Sequence, residues 1–242
     1  MASVGADCKG ASRRPVRPRD AASLILLRLE EREHRVLVGK RPPKSRFLPG
    51  HYVFPGGSVE PSDSRARPAS PLATHMVDLM AVGGKRLRAH SLAMAAVRET
   101  FEETGLLLAE PGDVGPVPSP SWSAIREHGV APSLHRLSYV GRAITPVPSP
   151  IRFHARFFVA DAQYTLGSLG GDSELEDLHW CPIGEVSRLP MIEVQSFMLA
   201  HAIATLTSND SASTTKPLFT QRAGQRCIRY FEARESSGPG KP

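Results

Sequence analysis

No run in the 242-residue chain approaches the roughly 20 consecutive apolar residues needed to cross a bilayer, so a membrane partner is not expected. The N-terminus lacks the apolar core of a secretory signal. Cysteine is scarce. Cys8, Cys181 and Cys227 form no C-x-x-C pair and no zinc spacing, which excludes a zinc module or a disulfide scaffold. Such a scattered, odd set points to reduced thiols and a cytoplasmic setting. Aromatic residues are only 6% of the chain, with no RNP-type motif and no Arg/aromatic stripe. A nucleic-acid partner is therefore not expected. The net charge of +6 fits an anionic small molecule as well as it fits nucleic acid, and several positive charges sit near the N-terminus. There is no internal repeat.

What is present is enough for one substantial domain, with 40% hydrophobic residues to fill its core. Residues 1–20 read as a basic disordered tail carrying Lys9, Arg13, Arg14, Arg17 and Arg19. Pro15, Pro18 and Asp7 argue against the amphipathic helix of a transit segment. The domain is expected over 21–207, and 208–242 as a partly mobile C-terminal extension. Ala22–Leu29 and Val36–Val38 flank a charged turn and predict a β-hairpin. A short strand is expected at Tyr52–Phe54. Residues 58–90 read as a loop insertion, with a short helix around Thr74–Val82 before the Gly83–Gly84 break. The clearest helix runs from about Leu92 to Thr104, with Ser91 as N-cap and Gly105 closing it. After a Pro-rich connector, Leu137–Ile144, Phe153–Ala160 and Leu178–Cys181 predict strands, and Met191–Leu206 predicts a closing helix. Strands mixed with packing helices give an α/β layered domain.

The chemistry concentrates in Arg98-Glu99-Thr100-Phe101-Glu102-Glu103-Thr104-Gly105-Leu106. At 100° per residue, Glu99 shares a face with Glu102 and Glu103. Like charges at these offsets repel, and the last turns of a helix disfavour anions. An acidic solvated surface is the plain alternative. A hard cation between the carboxylates gives the placement a purpose, and Mg²⁺ or Mn²⁺ takes such oxygen ligands. Upstream, Val53-Phe54-Pro55-Gly56-Gly57 runs a strand into a turn where backbone can approach a ligand and offer a carbonyl.

Together these segments resemble the Nudix hydrolase signature: Gly, five residues, Glu, seven residues, then Arg-Glu-apolar-x-Glu-Glu-x-Gly-apolar. Gly57 matches the first glycine, and Arg98, Glu99, Glu102, Glu103, Gly105 and Leu106 match the second half, with Thr100 in the apolar place. The family has 13 residues between that glycine and the arginine; here 40 intervene, positions 58–97. Counting back from Arg98 puts His90 at the middle glutamate, and Glu60 or Asp63 could substitute from the insertion. A box split in this way is similar to the acyl-CoA diphosphatase subgroup. The likeness extends to Phe47-Leu48-Pro49-Gly50, Ile144-Thr145-Pro146, Arg152-Phe153, Phe157-Phe158 and Glu174–Trp180, over about residues 20–205. It implies a Nudix-type α/β/α sandwich with a central mixed β-sheet.

The resemblance also implies roles. Glu99, Glu102 and Glu103, with the Gly57 carbonyl, would hold Mg²⁺ or Mn²⁺. Glu99 is the first candidate for the base, and Glu174 or Glu176 the second. Arg98 would orient a carboxylate of the cluster. Coenzyme A-cleaving members carry Leu-Leu-Thr-x-Arg-[Ser/Ala]-x3-Arg-x3-Gly-x3-Phe-Pro-Gly-Gly before the box. Arg41, Arg46, Gly50 and Phe54-Pro55-Gly56-Gly57 fall in that register, while Val38, Gly39 and Pro42 depart from it. Forked arginine donors at 41 and 46 suit phosphate groups. The expected substrate is a nucleoside diphosphate derivative, with coenzyme A or its esters favoured over ADP-ribose, a dinucleotide or a nucleoside triphosphate. A non-catalytic binding module is the alternative of another class. His154 and His179 read as structural. A homodimer is compatible with the sequence and not required by it. Residues 61–90 are expected to form a lid beside the site.

Overall fold

The computed structural model describes residues 16–30, 32–147, 149–170, 174–207 and 215–232. In chain order the strands and helices are β1 (Arg19–Glu30), β2 (Glu33–Lys40), β3 (Tyr52–Val53), β4 (Gly56–Ser58), α1 (Thr74–Leu79), α2 (Arg86–Thr104), β5 (Leu107–Pro111) and α3 (Pro120–Glu127). They continue with β6 (Val130–Pro132), β7 (Ser138–Ile144), β8 (Phe153–Asp161), β9 (Thr165–Leu166), β10 (Glu176–Pro182), α4 (Glu193–Thr207), β11 (Thr215–Arg222) and β12 (Gln225–Glu232).

The main sheet runs β10-β2-β1-β8-β7-β11-β12, with β3 beside β2 and β4 beside β1. β1 pairs parallel with β8 and β7 parallel with β11, the other pairings being antiparallel, so the sheet is mixed. Its central strands are apolar on both faces. On β1, Leu24 and Leu26 join the core beneath α2, while Ile25 and Leu27 join the core beneath α4. On β8, Phe158 and Ala160 take the first side, Phe157 and Val159 the second. Period-2 alternation with both faces covered is what an α/β/α sandwich demands of its middle strands. β5, β6 and β9 form a small second sheet.

Several boundaries depart from the sequence expectations. The central helix begins at Arg86, not Leu92. Ser91 is no cap: its hydroxyl donates to the Leu87 carbonyl four residues back. The first turn, Arg86-Leu87-Arg88, is exposed, and the residues from Leu92 to Val97 are all buried, so apolar periodicity could not mark the start. The stretch after the Pro-rich connector holds α3, which buries Trp122 and Ile125. The insertion is not a lid. Ala66, Met76, Val77, Leu79, Met80 and Val82 are part of the core beneath α2, and none of residues 61–90 lines the cleft described below. Removing residues 64–85 should therefore cost several kcal/mol of stability, on the order of what buried-to-void changes cost elsewhere. Thermal unfolding checks this; an unchanged Tm with a raised KM would restore the lid.

Within the C-terminal extension, residues 215–232 form a hairpin that widens the main sheet. Its turn places Ala223 at φ 48° and Gly224 at φ 76°. Two positive φ values define a type I′ turn, usually written Asn-Gly or Asp-Gly, and alanine there hides the signal. The strand β1 already starts at Arg19, inside the stretch read as tail. The rest of that tail up to residue 15, and residues 208–214 and 233–242 of the C-terminal extension, lie outside the described residues.

Candidate active site

The strand β1 holds β4 against it, with Ala22 opposite Gly57 and Ser23 opposite Gly56. This brings the Pro-Gly-Gly segment beneath the last two turns of α2. The Gly56 N–H donates to Glu103 Oε2 at 2.8 Å. A side chain on Gly57 is impossible without displacement, because a Cβ there would lie 2.5 Å from the Glu99 carboxylate. Glycine at 57 is thus required by the close approach of Glu99 to the backbone.

Arg98 organises the cluster from below. It is only 2% exposed, and Asp63, its main partner, is fully buried. Arg98 Nε donates to Asp63 Oδ1 at 2.8 Å, and Nη2 to Asp63 Oδ2 at 3.2 Å and to the Ser58 carbonyl at 3.0 Å. Nη1 donates to Glu99 Oε1 at 3.0 Å and to Glu102 Oε2 at 2.8 Å. A guanidinium has five N–H groups, and five acceptors meet them. Burial pulls the Arg98 pKa down, but the Asp63 hydrogen bond and the charges of Glu99, Asp63 and Glu102 outweigh it, so the net shift is upward. The arginine stays charged.

Asp63 stands six residues after Gly57, the place of the signature's middle glutamate counted forward from the glycine. Glu60, the other candidate, caps the short 3-10 turn at Pro61–Ser64, and its N–H donates to Asp63 Oδ2 at 2.8 Å. The extra length therefore falls after Asp63, between it and Arg98, and leaves the Asp63–Arg98 pair intact.

The other two carboxylates of the face are under electrostatic tension. Burial raises Glu99 to about 7, with the charge of Arg98 opposing and those of Glu102 and Glu174 adding. Glu103, 3% exposed, is pushed by burial to about 8; the Gly56 N–H and the charge of Arg41 oppose, while Glu99 and Glu174 add. Glu102 is held between Arg98 and the hydroxyl of Ser121 on α3, which donates to its Oε1. Among the described residues, no three Asp, Glu, His or Cys side chains gather as a ready metal cage. The donor chemistry nonetheless fits a hard divalent cation: buried carboxylate oxygens that burial and mutual repulsion leave short of positive charge.

Arg98, Glu99, Glu102 and Glu103 line a cleft of about 680 Å³, together with Arg41, Phe54, Gly56, Gly57 and Glu174. Phe47, Phe153, Phe157 and Phe219 are also among its walls. Phe47 and Phe153 meet edge to face at 5.1 Å between ring centres. Arg41 is braced by its Nε bond to the Phe47 carbonyl, 2.8 Å. Arg46 is exposed and does not line the cleft. Gly50, at φ 72°, serves the turn: its N–H donates to the Arg41 carbonyl and it too stays off the cleft. Glu176 does not line the cleft either. Ser121 and Phe219 were not legible beforehand, because both belong to elements that Pro-rich and polar composition concealed.

His154 and His179 lie outside the cleft. Burial first, then the neighbouring Arg156 and Arg142, holds His154 at about 3. Unfolding restores its ordinary value near 6.5, so between those limits the unfolded chain binds a proton that the folded protein refuses. Stability should fall as pH drops below 6.5, by at most about 1.4 kcal/mol per pH unit from this group. Denaturant unfolding between pH 7 and 5 should show a shallower fall for His154→Gln; equal slopes would contradict this.

Comparison with known proteins agrees with the geometry. The NUDIX domain family model matches residues 17–201. The acyl-coenzyme A diphosphatase NUDT19 of Gallus gallus is 31% identical over 113 residues, covering 36% of this chain and 30% of that protein. Its counterpart of the same name from Xenopus laevis is 32% identical over 100 residues, covering 33% of this chain and 26% of that protein. The chain thus matches less than a third of the length of these curated relatives. The crystal structure of a NUDIX hydrolase from Alicyclobacillus acidocaldarius superposes with a TM-score of 0.61 at 27% identity, covering 79% of this chain and 96% of that one. The fold is that of the Nudix hydrolases, enzymes that act on phosphoanhydride bonds. The chain belongs to the Nudix family.

Proposed function

We propose that the protein is a divalent-metal-dependent hydrolase that splits the diphosphate linkage of a nucleoside diphosphate derivative, with coenzyme A or acyl-CoA as the preferred substrate class. The products would be 3′,5′-ADP and a phosphopantetheine fragment. The observation that carries this reading is the pair Glu99 and Glu103, one partly buried and one buried in the wall of a single cleft, both raised into the neutral range. A divalent cation at the pair would offset the burial and like-charge repulsion that raise both groups.

In this reading Glu99, Glu102 and Glu103, with the Gly57 carbonyl, hold Mg²⁺ or Mn²⁺. When bound, the ion neutralises the diphosphate and makes a nearby water more acidic. Glu102 reaches it by turning from Ser121. Arg98 fixes the directions of Glu99 and Glu102. Arg41 offers a forked donor to a phosphate group, and Glu99 or Glu174 accepts the proton of the attacking water. The coenzyme A preference is supported by Arg41 in its register position, by the phenylalanines in the cleft walls and by the partial likeness to the two acyl-CoA diphosphatases. Arg46 adds nothing to it from its exposed position. A reducing, cytoplasmic setting is in keeping with Cys181 and Cys227, both unpaired. Among the described residues no helix is long and apolar enough to cross a membrane.

Turnover of coenzyme A, an acyl-CoA, ADP-ribose and NADH should be compared with Mg²⁺ and with Mn²⁺. Preferential cleavage of the coenzyme A compounds is expected. Coenzyme A left intact while ADP-ribose is split would overturn the substrate choice and leave the reaction class standing.

A further inference from the structure

Glu174 reaches the cleft from the segment just before β10, and two anchors fix that segment. The first is Leu175, only 6% exposed, which sits against Gly39 of β2. A Cβ on Gly39 would lie 2.7 Å from Leu175 Cδ1 and 2.8 Å from its Cβ. Gly39 is one of the positions that departs from the coenzyme A pattern, and this contact gives the departure a physical reason. The second anchor is Asp177. It adopts φ 47°, a conformation that costs a non-glycine residue, in the bulge where β10 slips against β2 between Glu176 and His179. Its Oδ2 accepts a hydrogen bond from the Tyr52 hydroxyl. Tyr52 is fixed in turn by its N–H bond to the Pro190 carbonyl, 3.0 Å, and by His179 packed edge-on at 5.8 Å. Strained backbone held by a specific bond is a recurrent mark of functional segments.

We propose that Gly39, Leu175, Asp177 and Tyr52 are positioning residues that form a latch, holding Glu174 in the cleft with Glu99 and Glu103, and that turnover depends on Glu174 being held there. The inference rests on the reading of the cleft as a hydrolytic site. The end of β2 and the residue after it carry both halves of the arrangement: Gly39 seats the latch, and Arg41, one residue past the strand, lines the cleft.

The test is a double-mutant cycle between Tyr52 and Glu174, read as kcat and KM on the substrate turned over fastest. Glu174→Gln should lower kcat by about 100-fold or more. Tyr52→Phe, which removes only the hydroxyl, should lower kcat about tenfold with KM within about twofold. Asp177→Ala should match it, whereas Asp177→Asn, which keeps an acceptor and tolerates the backbone conformation, should stay within about threefold of wild type. In the Glu174→Gln background, Tyr52→Phe should cost nothing further. The same tenfold loss in both backgrounds, or a wild-type kcat for Glu174→Gln, overturns the latch. Glu103→Gln assayed alongside separates the two levels. If it is inactive while Glu174→Gln is fully active, the hydrolytic reading stands and the latch falls. If the wild type turns over nothing, both fall.

Discussion

Glu103→Gln should lower kcat by at least about 10³-fold while the domain stays folded, the scale expected when a charge-stabilising metal is lost. The substitution keeps the side chain's shape and leaves an oxygen to accept from the Gly56 N–H, now 2.8 Å from Oε2. It removes a carboxylate that burial already penalises, so the metal-free variant should melt at or above the wild-type Tm. The diagnostic sign is a loss of stabilisation by added Mn²⁺ alongside the loss of turnover, because an ion that binds only the folded state stabilises it by mass action. A variant that hydrolyses at the wild-type rate would remove Glu103 from the metal set.

The second large effect is at Asp63. Asp63→Ala leaves two of the five Arg98 donors without their acceptors inside a fully buried site. Breaking one side of a buried ion pair typically costs about 3–5 kcal/mol, because the remaining charge stays desolvated. Loss of aim in Glu99 and Glu102 should reduce kcat as well, since Arg98 holds both. Asp63→Asn keeps one acceptor and should fall between the two in denaturant midpoint and in kcat. Wild-type stability for Asp63→Ala would show that the pair contributes nothing. The expectation is sharp because Asp63 stands just before the extra length, in a segment whose composition alone reads as a loop.

The parts of the fold that were legible are those where local pattern and tertiary role coincide. The Ala22–Leu29 and Val36–Val38 hairpin and the strands expected at Leu137–Ile144, Phe153–Ala160 and Leu178–Cys181 are short apolar or alternating runs that the sheet takes up, and the closing helix is an apolar stretch too long for a strand. The central helix was visible in its second half because chemistry and cap stand there, and invisible in its first turn because Arg86-Leu87-Arg88 faces solvent. Asp63 was within reach of counting, but only forward from Gly57; counting back from Arg98 crosses the insertion and loses it. The two arginines of the coenzyme A pattern look equivalent in spacing. Only three dimensions distinguish them: Arg41 continues β2 into the cleft, while Arg46 rides an exposed turn. The walls contributed by Phe219 and Phe47 come from a hairpin with a concealed turn and from a loop, and neither has a period to read.

The measurement that bears most directly on the account is hydrolysis in ¹⁸O-labelled water, with the nucleoside diphosphate panel, in the presence of Mg²⁺ or Mn²⁺ and again with chelator. The account predicts that a coenzyme A compound is split only with metal present, and that the label appears in a phosphate group of one product. Folded protein that turns over no member of the panel with either metal, or that turns one over equally well in chelator, would contradict it.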